Sequence, residues 1–338
     1  MKKLVLIMAV AASITGWADK VCLKSGSFLT GKAGLIQKDK LLFESEDLGE
    51  IKIDIKNIAS LESDTMHVIQ YDDMTSETVP LSVQDGKYTV DGIEIATNHI
   101  KEIDPKEETW HGSVNVAFQS TRGNTYGHTA TVLANVYKRW EKDRFRADFG
   151  YYYGDTGTSK QNNEKTTDNW EAEAQHDHFW APKIYSYENA KYARDTMAGL
   201  STRIRLGAGL GYQWLDETEF EGTGKWSFNQ EAGLGWTHNV YNVKDNGVDN
   251  DYCSVHYAHH LLMDPYFSET IQFFHNLAYD PAIHDWEQYT VEADIGATAK
   301  VYGDFDLLAK IEWDYNSTPS AGRKRSDVRY ILGLGYKW

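Results

Sequence analysis

The chain has 338 residues, a formal net charge of −16 with histidine neutral, and 21 Tyr, 11 Trp and 12 Phe. Without a basic stripe, this acidic balance argues against nucleic-acid binding, while 6 Pro and 27 Gly argue against a disordered or collagen-like chain. Many aromatic residues in a chain of mean hydropathy −0.55 instead fit strands that alternate aromatic and polar faces, as in transmembrane barrels.

Residues 1–18 have the features of an export signal. Lysines at 2–3 form a positive start, 4–14 are apolar, and 16–18 place small residues at the two positions that a signal peptidase reads. The apolar run is shorter than the ~20 residues that a membrane-spanning helix needs, and no later run is long enough. The residues before Cys22 form no lipoprotein box. We therefore expect an exported chain without a lipid anchor or a helical membrane span.

The sequence pattern of residues 19–104 predicts two small β units of SH3 or Sm type. Each unit ends with a glycine, a short alternating strand and then Ile-x-x-Leu (58–61) or Ile-x-x-Ile (100–103). This is a repeat of about 45 residues with short strands between turns. The pair could be a ligand-binding module or a packed periplasmic spacer. Residues 105–109, polar and proline-bearing, are the expected linker, which would leave Cys22 and Cys253 in separate domains as unpaired thiols.

From residue 110 the pattern changes to long strands with period-two alternation, clearest at 289–301 and 305–315. The apolar faces are often tipped by aromatic residues, as interfacial girdles require, whereas the polar faces carry charges and glycines, as a lumen tolerates. A soluble sandwich would also alternate, but strands in lipid must close into a barrel to pair their backbone groups. We expect an antiparallel transmembrane barrel over 110–338, its twelve strands beginning near Trp110, Thr125, Arg144, Asp168, Ile184, Ala198, Lys225, Asp251, Phe267, Trp286, Phe305 and Arg325.

The predicted connections alternate between short and long. Those at 141–143, 181–183, 264–265 and 303–304 are tight, whereas those at 154–167, 239–250 and 316–324 are longer and polar. Short periplasmic turns and long external loops are typical of outer-membrane barrels, so Trp338 and the N-terminal domain are expected on the periplasmic side. The connection at 215–224 is long for a periplasmic turn and does not fit this scheme.

The last residues resemble the terminal signal that the outer-membrane barrel-assembly machinery reads, with Gly333, Tyr336 and Trp338 in the key positions. Ile331 departs from that pattern, which usually has a polar residue there. Four internal stretches, STRGNT at 120–125, AKYARD at 190–195, RLGAGLGY at 205–212 and EAGLGW at 231–236, resemble the domain of unknown function 481, whose members are often labelled salt-induced outer-membrane proteins. The resemblance covers about 110–338, and the opening at 23–31 resembles small β units that precede some such barrels. It implies an outer-membrane location and no established substrate or reaction.

No motif for catalysis or for a cofactor stands out. His176 and His178 share a strand face, but no third ligand follows at a recognisable spacing, so neither a metal nor another cofactor is expected. Ser254 and His256 lie two apart, as do the Ser and His that a barrel phospholipase sets on an outward strand face, but in the opposite order and without its motif. The acidic run at 245–251 lacks the spacing of an EF-hand and is interpreted as an external turn.

The lumen is the candidate functional region. Mixed charge at close range could line a narrow solute channel, or could pair off and plug the barrel, and twelve strands leave both open. The predicted lumen charges are Arg146, Arg203, Arg205, Glu292, Asp294, Lys300, Lys310, Glu312, Asp314 and Arg329, with Glu171, Glu173, Asp177 and Glu231 facing them.

The sequence thus predicts a non-enzymatic β-barrel of the Gram-negative outer membrane, with residues 19–104 in the periplasm. A narrow solute or ion channel is the first hypothesis, a structural or adaptor protein with a periplasmic partner the second, and an outer-membrane lipid hydrolase the third. The expected partners are outer-membrane lipid and lipopolysaccharide, and the barrel-assembly machinery during biogenesis.

Overall fold

The structure is a computed structural model, and it describes residues 19–37, 40–45, 47–62, 66–71, 74–90, 92–95, 100–103, 109–122, 125–159, 162–241, 251–268, 270–319 and 323–338. The expected export signal lies outside these residues, as does the expected linker apart from residue 109. The chain divides into two compact units, residues 1–107 and 108–338. The one helical element of the described residues, the 3-10 turn Ile55–Asn57, is too short to cross a membrane.

The first unit is all β. Nine of its strands follow one another in the order β10-β9-β8-β5-β1-β2-β11-β6-β7, and β3 pairs with β2 and β4. The strands are β1 (Asp19–Leu23), β2 (Phe28–Gln37), β3 (Lys40–Ser45), β4 (Gly49–Asp54), β5 (Ile58–Glu62), β6 (His67–Tyr71), β7 (Ser76–Val79), β8 (Leu81–Gln84), β9 (Lys87–Val90), β10 (Ile93–Glu94) and β11 (Ile100–Ile103).

The sequence repeat is also a repeat of strand register. In the first copy Asp19 pairs with Gly31, and 48 positions later His67 pairs with Val79 in the same antiparallel register. The last strand of each copy pairs with the first strand of its own copy and also with a strand of the other copy: β5 with β8, and β11 with β2. The two small β units are therefore joined into one sheet by reciprocal strand pairing.

One hydrophobic core serves both copies. Val21 and Leu61 of the first copy lie in the same buried cluster as Ile69, Val83 and Ile103 of the second. The alternation in each short strand supplies this layer, because every second side chain points to the same face of the sheet. Shared strands and a shared core make residues 19–103 a single folding unit.

The second unit is a closed antiparallel barrel of twelve strands, which confirms the predicted fold and strand count. Each strand pairs with its neighbours in chain order, and the last pairs with the first. The strands are β12 (His111–Thr121), β13 (Tyr126–Arg139), β14 (Asp143–Gly157), β15 (Asn163–Ala181), β16 (Ile184–Asp195), β17 (Leu200–Phe220), β18 (Gly224–Tyr241), β19 (Asp251–Pro265), β20 (Ile271–Pro281), β21 (Tyr289–Tyr302), β22 (Phe305–Asn316) and β23 (Ser326–Lys337).

The connections at the Trp338 end of the barrel are short, and the expected long turn at 215–224 is wrong. β17 runs on to Phe220 and pairs with β18 down to Gly224, so only residues 221–223 connect them. Register shifts near Leu215 had hidden this pairing, because bulges interrupt the alternation of side chains. The connection at 154–167 is likewise shorter than expected, since β14 extends to Gly157 and β15 begins at Asn163.

The barrel closes on its own terminus. Gly112 and Trp338 exchange backbone hydrogen bonds, with N···O distances of 3.2 and 3.1 Å. The indole of Trp338 lies so close to Gly112 that a Cβ added there would be 2.4 Å from the ring and 2.7 Å from the backbone oxygen of Asn135. A residue without a side chain is therefore required where the two terminal strands meet.

We predict that Gly112→Val weakens barrel closure, because the added side chain displaces either the Trp338 ring or the β13 backbone. Overpacking of this kind costs roughly 1–3 kcal/mol. The temperature at which the folded gel band converts to the unfolded one should fall. Ala309→Val, on an exposed outward position of β22, is the matched control. Equal transition temperatures for the two variants would contradict the tight seam.

Candidate functional site

The barrel interior brings the predicted charges together. All ten predicted lumen charges lie on inward positions of β14, β17, β21, β22 and β23, alternating with exposed apolar side chains. On β23, for example, Arg329 faces inward while Tyr330 and Leu332 are 80 and 74% exposed. Across β21 and β22, Glu292 lies opposite Asp314, and Asp294 lies opposite Glu312.

Inward glycines make room for two tyrosines of β16. A Cβ on Gly211 would lie 2.1 Å from the ring of Tyr185, and one on Gly209 would lie 2.8 Å from the ring of Tyr187. The glycines of RLGAGLGY thus face the lumen, while Leu206 and Leu210 between them face outward and are exposed. This is the physical reason for alternating glycine in the stretch that carries the family resemblance.

A buried carboxylate, Glu231, organises the end of the lumen nearer Trp338. It accepts hydrogen bonds at Oε1 from Arg146 (2.8 Å), Gln175 (3.0 Å) and Tyr185 (2.9 Å), and its side chain is 1% exposed. Arg144 donates to Asp177 at 2.7 Å beside it. Both carboxylates of this cluster are thus buried and paired with an arginine.

A second network crosses the lumen. The Nζ atom of Lys191 on β16 lies 2.7 Å from Glu292 on β21 and 2.9 Å from Glu171. β16 and β21 are five strands apart in a ring of twelve, so this contact joins nearly opposite walls. Arg205 reaches Glu292 at 3.4 Å and Asp280 at 3.2 Å. The ion pairs therefore obstruct the lumen as well as line its wall.

A third group of charges lies on β22 and β23. The Nζ atom of Lys310 lies 3.2 Å from Asp294 and 2.8 Å from Glu312. Arg329 donates to Glu312 at 2.8 Å and also pairs with Asp314. Across the lumen, Tyr152 of β14 donates to Glu312 at 2.9 Å.

An apolar layer fills part of the space that the ion pairs leave. Tyr152, Leu308 and Ile331 are buried together, with Leu133 and Phe274 packed against them. All five side chains point inward. From the sequence alone, these alternating apolar side chains look the same as those of a soluble protein core. Hydrophobic constrictions of this kind limit the passage of water and ions.

Not every predicted lumen charge joins a network. Arg203 donates to the amide oxygen of Asn239 at 2.8 Å, and within the part of the chain that the structure describes Lys300 has no ion pair. Asp148 and Glu173 lie directly opposite each other on β14 and β15, and among the described residues neither has a basic partner within 4.0 Å. They are two carboxyl groups on the lumen wall that no basic side chain neutralises by direct contact.

The sequence pattern missed four participants: Arg144, Lys191, His256 and Asp280. Lys191 and Asp280 sit on strands whose alternation is weak, where small and polar residues occupy both faces. The contact of Lys191 with Glu292 joins strands that are distant in the ring, and such pairing leaves no signal in the local pattern.

Ser254 and His256 both point into the lumen, unlike the outward pair of a barrel phospholipase. His256 Nδ1 lies 2.7 Å from Asp280, but Ser254 Oγ is buried with no hydrogen-bond partner among the described residues. The contact between nucleophile and base that activates a serine is therefore not formed in this arrangement.

His176 and His178 point outward, where both contact Asp143, at 3.0 and 2.9 Å. Within the described ranges, no group of three or more His, Cys, Asp or Glu side chains is arranged to hold a metal ion. Cys22 and Cys253 are unpaired. Of the acidic run at 245–251, only Asp251 lies within the described residues.

An apolar belt covers the outside of the barrel. Val116, Leu210, Leu234, Ile295 and Leu332 are between 50 and 74% exposed. Exposed tryptophans edge this belt at the Trp338 end, including Trp110, Trp140, Trp180 and Trp214. An apolar outer face with aromatic girdles and a polar interior is the arrangement of barrels in outer membranes, where closure leaves no strand edge in lipid. The protein is thus an outer-membrane β-barrel.

We predict that Glu231→Ala strongly destabilises the barrel, because it leaves Arg146 buried without a partner. Breaking a buried pair on one side costs roughly 3–5 kcal/mol. Unfolding in denaturant, followed by tryptophan fluorescence, measures the loss. Glu219→Ala, which removes an exposed carboxylate from β17, should change little. An Arg146→Met/Glu231→Ala double variant should recover part of the stability, and a fully additive loss would contradict the pairing.

Three solved structures have a similar barrel. The NanC porin has 12% identity and a TM-score of 0.39, and the match covers 67% of this chain and 98% of that one. The translocator domain of the autotransporter NalP from Neisseria meningitidis has 15% identity and a TM-score of 0.35, covering 67% and 86%. The KdgM porin, solved with disordered oligogalacturonate, has 7% identity and a TM-score of 0.35, covering 68% and 98%. At these scores the likenesses carry no argument about activity.

No curated protein sequence matches the chain. The family model "Protein of unknown function, DUF481" matches residues 114–338, which span eleven complete barrel strands and most of β12. The alternating glycines that make room for Tyr185 and Tyr187 lie within the matched region. The chain therefore belongs to the DUF481 family.

Proposed function

We propose that the barrel is a narrow, cation-preferring ion channel whose resting lumen is closed by the cross-lumen ion pairs and the adjoining apolar layer. The observation that carries this proposal is the contact of Lys191 with Glu292 between nearly opposite walls. Charged residues occupy the lumen along most of its length, and rings of charged side chains are a recurring element of ion-selective pores.

The preference for cations follows from the charge that remains after pairing. Arg146, Lys191, Arg205, Lys310 and Arg329 each have a carboxylate within 4.0 Å, whereas Asp148 and Glu173 have no such basic partner among the described residues. Carboxylates on a narrow wall raise the local concentration of cations and repel anions.

We predict that removing the cross-lumen contact enlarges the conductance. In planar bilayers, the wild-type barrel should give small unitary currents. The Lys191→Met/Glu292→Gln variant should give currents several-fold larger, because the contact that crosses the lumen is lost. A Glu219→Gln/Lys225→Met variant removes an opposed pair of charges from the exposed β17–β18 hairpin and is the matched control.

Selectivity is a separate test of the same lumen. Under a salt gradient, the reversal potential should indicate a preference for cations, and Asp148→Asn/Glu173→Gln should move it towards zero. If folded wild-type and Lys191→Met/Glu292→Gln barrels both carry no current, the channel is excluded and a structural role remains.

A structural or adaptor role is the second candidate, and the open sheet of the first unit favours it. β10 and β7 are its end strands, and Ile93 on β10 is 71% exposed. An exposed edge strand is a template for an added strand from another protein.

With short turns and Trp338 on the periplasmic side, this sheet would lie in the periplasm. Full-length protein carrying Ile93→Lys should lose a periplasmic partner that the wild type retains on cross-linking. No cross-link in the wild type would argue against the adaptor role.

A further inference from the structure

The outer wall of the barrel carries a groove that is distinct from the lumen. Its volume is about 640 Å³, and outward alanines of β13 to β16 form its floor. In one row across the strands, Val136, Ala147, Ala174 and Ala190 lie opposite one another in register. Small side chains at these positions leave the outer surface recessed, whereas the larger side chains of Phe149 and Tyr192 in the next row project beside the groove.

Trp338 also lines the groove, and a cluster of polar side chains lies one outward row beyond the alanines, towards the short turns of the barrel. His176 and Glu188 face each other there, and Asp143 and His178 face each other one row further on. His176 bridges the two carboxylates, with Nε2 3.0 Å from Asp143 and Nδ1 3.3 Å from Glu188. On a face that is otherwise apolar, these four side chains are partly exposed, and Glu188 is 76% exposed.

The depth of this cluster is that of a lipid headgroup region. His178 packs edge-on against Trp180, with 4.8 Å between ring centroids, and Trp180 belongs to the exposed tryptophans that edge the apolar belt. The alanine row lies on the other side of the cluster, within the belt. A molecule that lay along this surface would place an apolar chain in the groove and a polar head on the cluster.

The charged groups of the cluster determine which lipid headgroup it can bind. Asp143 receives both of its imidazole contacts at Oδ1, and Glu188 contacts His176 alone among the described residues, so each carboxylate has an oxygen to offer. The cluster offers carboxylate oxygens, and among the described residues no lysine or arginine is paired with Asp143 or Glu188. Such a cluster attracts an ammonium group and repels a purely anionic head. A primary ammonium donates three hydrogen bonds, whereas a quaternary one donates none.

We propose that this face of β13 to β16 is a binding site for a phospholipid with a primary ammonium headgroup. One acyl chain lies in the alanine groove, and the ammonium lies between Asp143 and Glu188. The proposed contacts are separate from conduction through the lumen, since the alanine row, Asp143, His176, His178 and Glu188 all lie on outward positions of their strands.

The test uses the full-length protein in detergent and three phospholipids with identical acyl chains: phosphatidylethanolamine, phosphatidylcholine and phosphatidylglycerol. Native mass spectrometry counts the bound lipid at each concentration. We expect phosphatidylethanolamine to bind about tenfold more tightly than phosphatidylcholine, since charge-assisted hydrogen bonds distinguish the two heads. Phosphatidylglycerol should bind most weakly.

Two variants test the headgroup contacts and the acyl-chain groove separately. Asp143→Asn/Glu188→Gln should abolish the preference among the three headgroups. Ala174→Phe should weaken the binding of all three lipids, because the larger side chain fills the groove. Glu219→Gln and Ala297→Phe remove a carboxylate and enlarge an outward alanine elsewhere, so they are the matched controls. Heat-dependent gel mobility establishes that each variant is folded.

Three results would overturn the proposal. The first is equal binding of all three lipids to the wild type, and the second is a preference for phosphatidylglycerol. The third is a dimer of the chain that Ala174→Phe dissociates, which would make the groove an interface between copies.

Discussion

Closure of the backbone hydrogen-bond ladder is the constraint on which the rest of the barrel depends. In lipid no water is present to pair an exposed N–H or C=O group, so the first and last strands must meet. β12 and β23 pair at Ser113–Val116 and Leu334–Lys337, and Gly112 leaves room for the indole that covers the seam. Closure divides the side chains into an outward set that meets lipid and an inward set that meets only the opposite wall.

The inward side chains differ from those of a soluble core, because many of them are charged. The strands present charges there, several of them buried, and each buried charge needs a partner. Glu231 has several donors, Lys191 has two carboxylates, and Arg205 has two. The lumen thus combines satisfied ion pairs with the apolar layer around Tyr152 and Leu308.

Much of the barrel could be predicted from the sequence because its signal is local. Alternation at 289–301 and 305–315 fixes which side chains face inward, and turn residues at 303–304 fix where the strands reverse. The predicted length of the connection at 215–224 was wrong because bulges interrupt that alternation. The contacts of Lys191 with Glu292 and of Tyr152 with Glu312 were beyond prediction, since they join strands that are far apart in the chain and in the ring.

The same limit applies outside the lumen. His176 and His178 were recognised as sharing a face, but which face it was depended on the register of β14, β15 and β16. Only that register brings Asp143 and Glu188 to them and places the alanines above. Similarly, the repeat in residues 19–103 was visible as a rhythm, whereas the reciprocal pairing of β5 and β11 was not.

The seam at Gly112 and Trp338 also sets the order of events in biogenesis. β12 is the first of the twelve strands to be exported, and β23 is the last. The free edge of β12 pairs with β23, so it stays open until β23 has been exported. Synthesis and export of the barrel sequence must therefore finish before the barrel can close. A chain that lacked residues 334–338 would lose the part of β23 that pairs with β12, and the barrel would be left with an open strand edge.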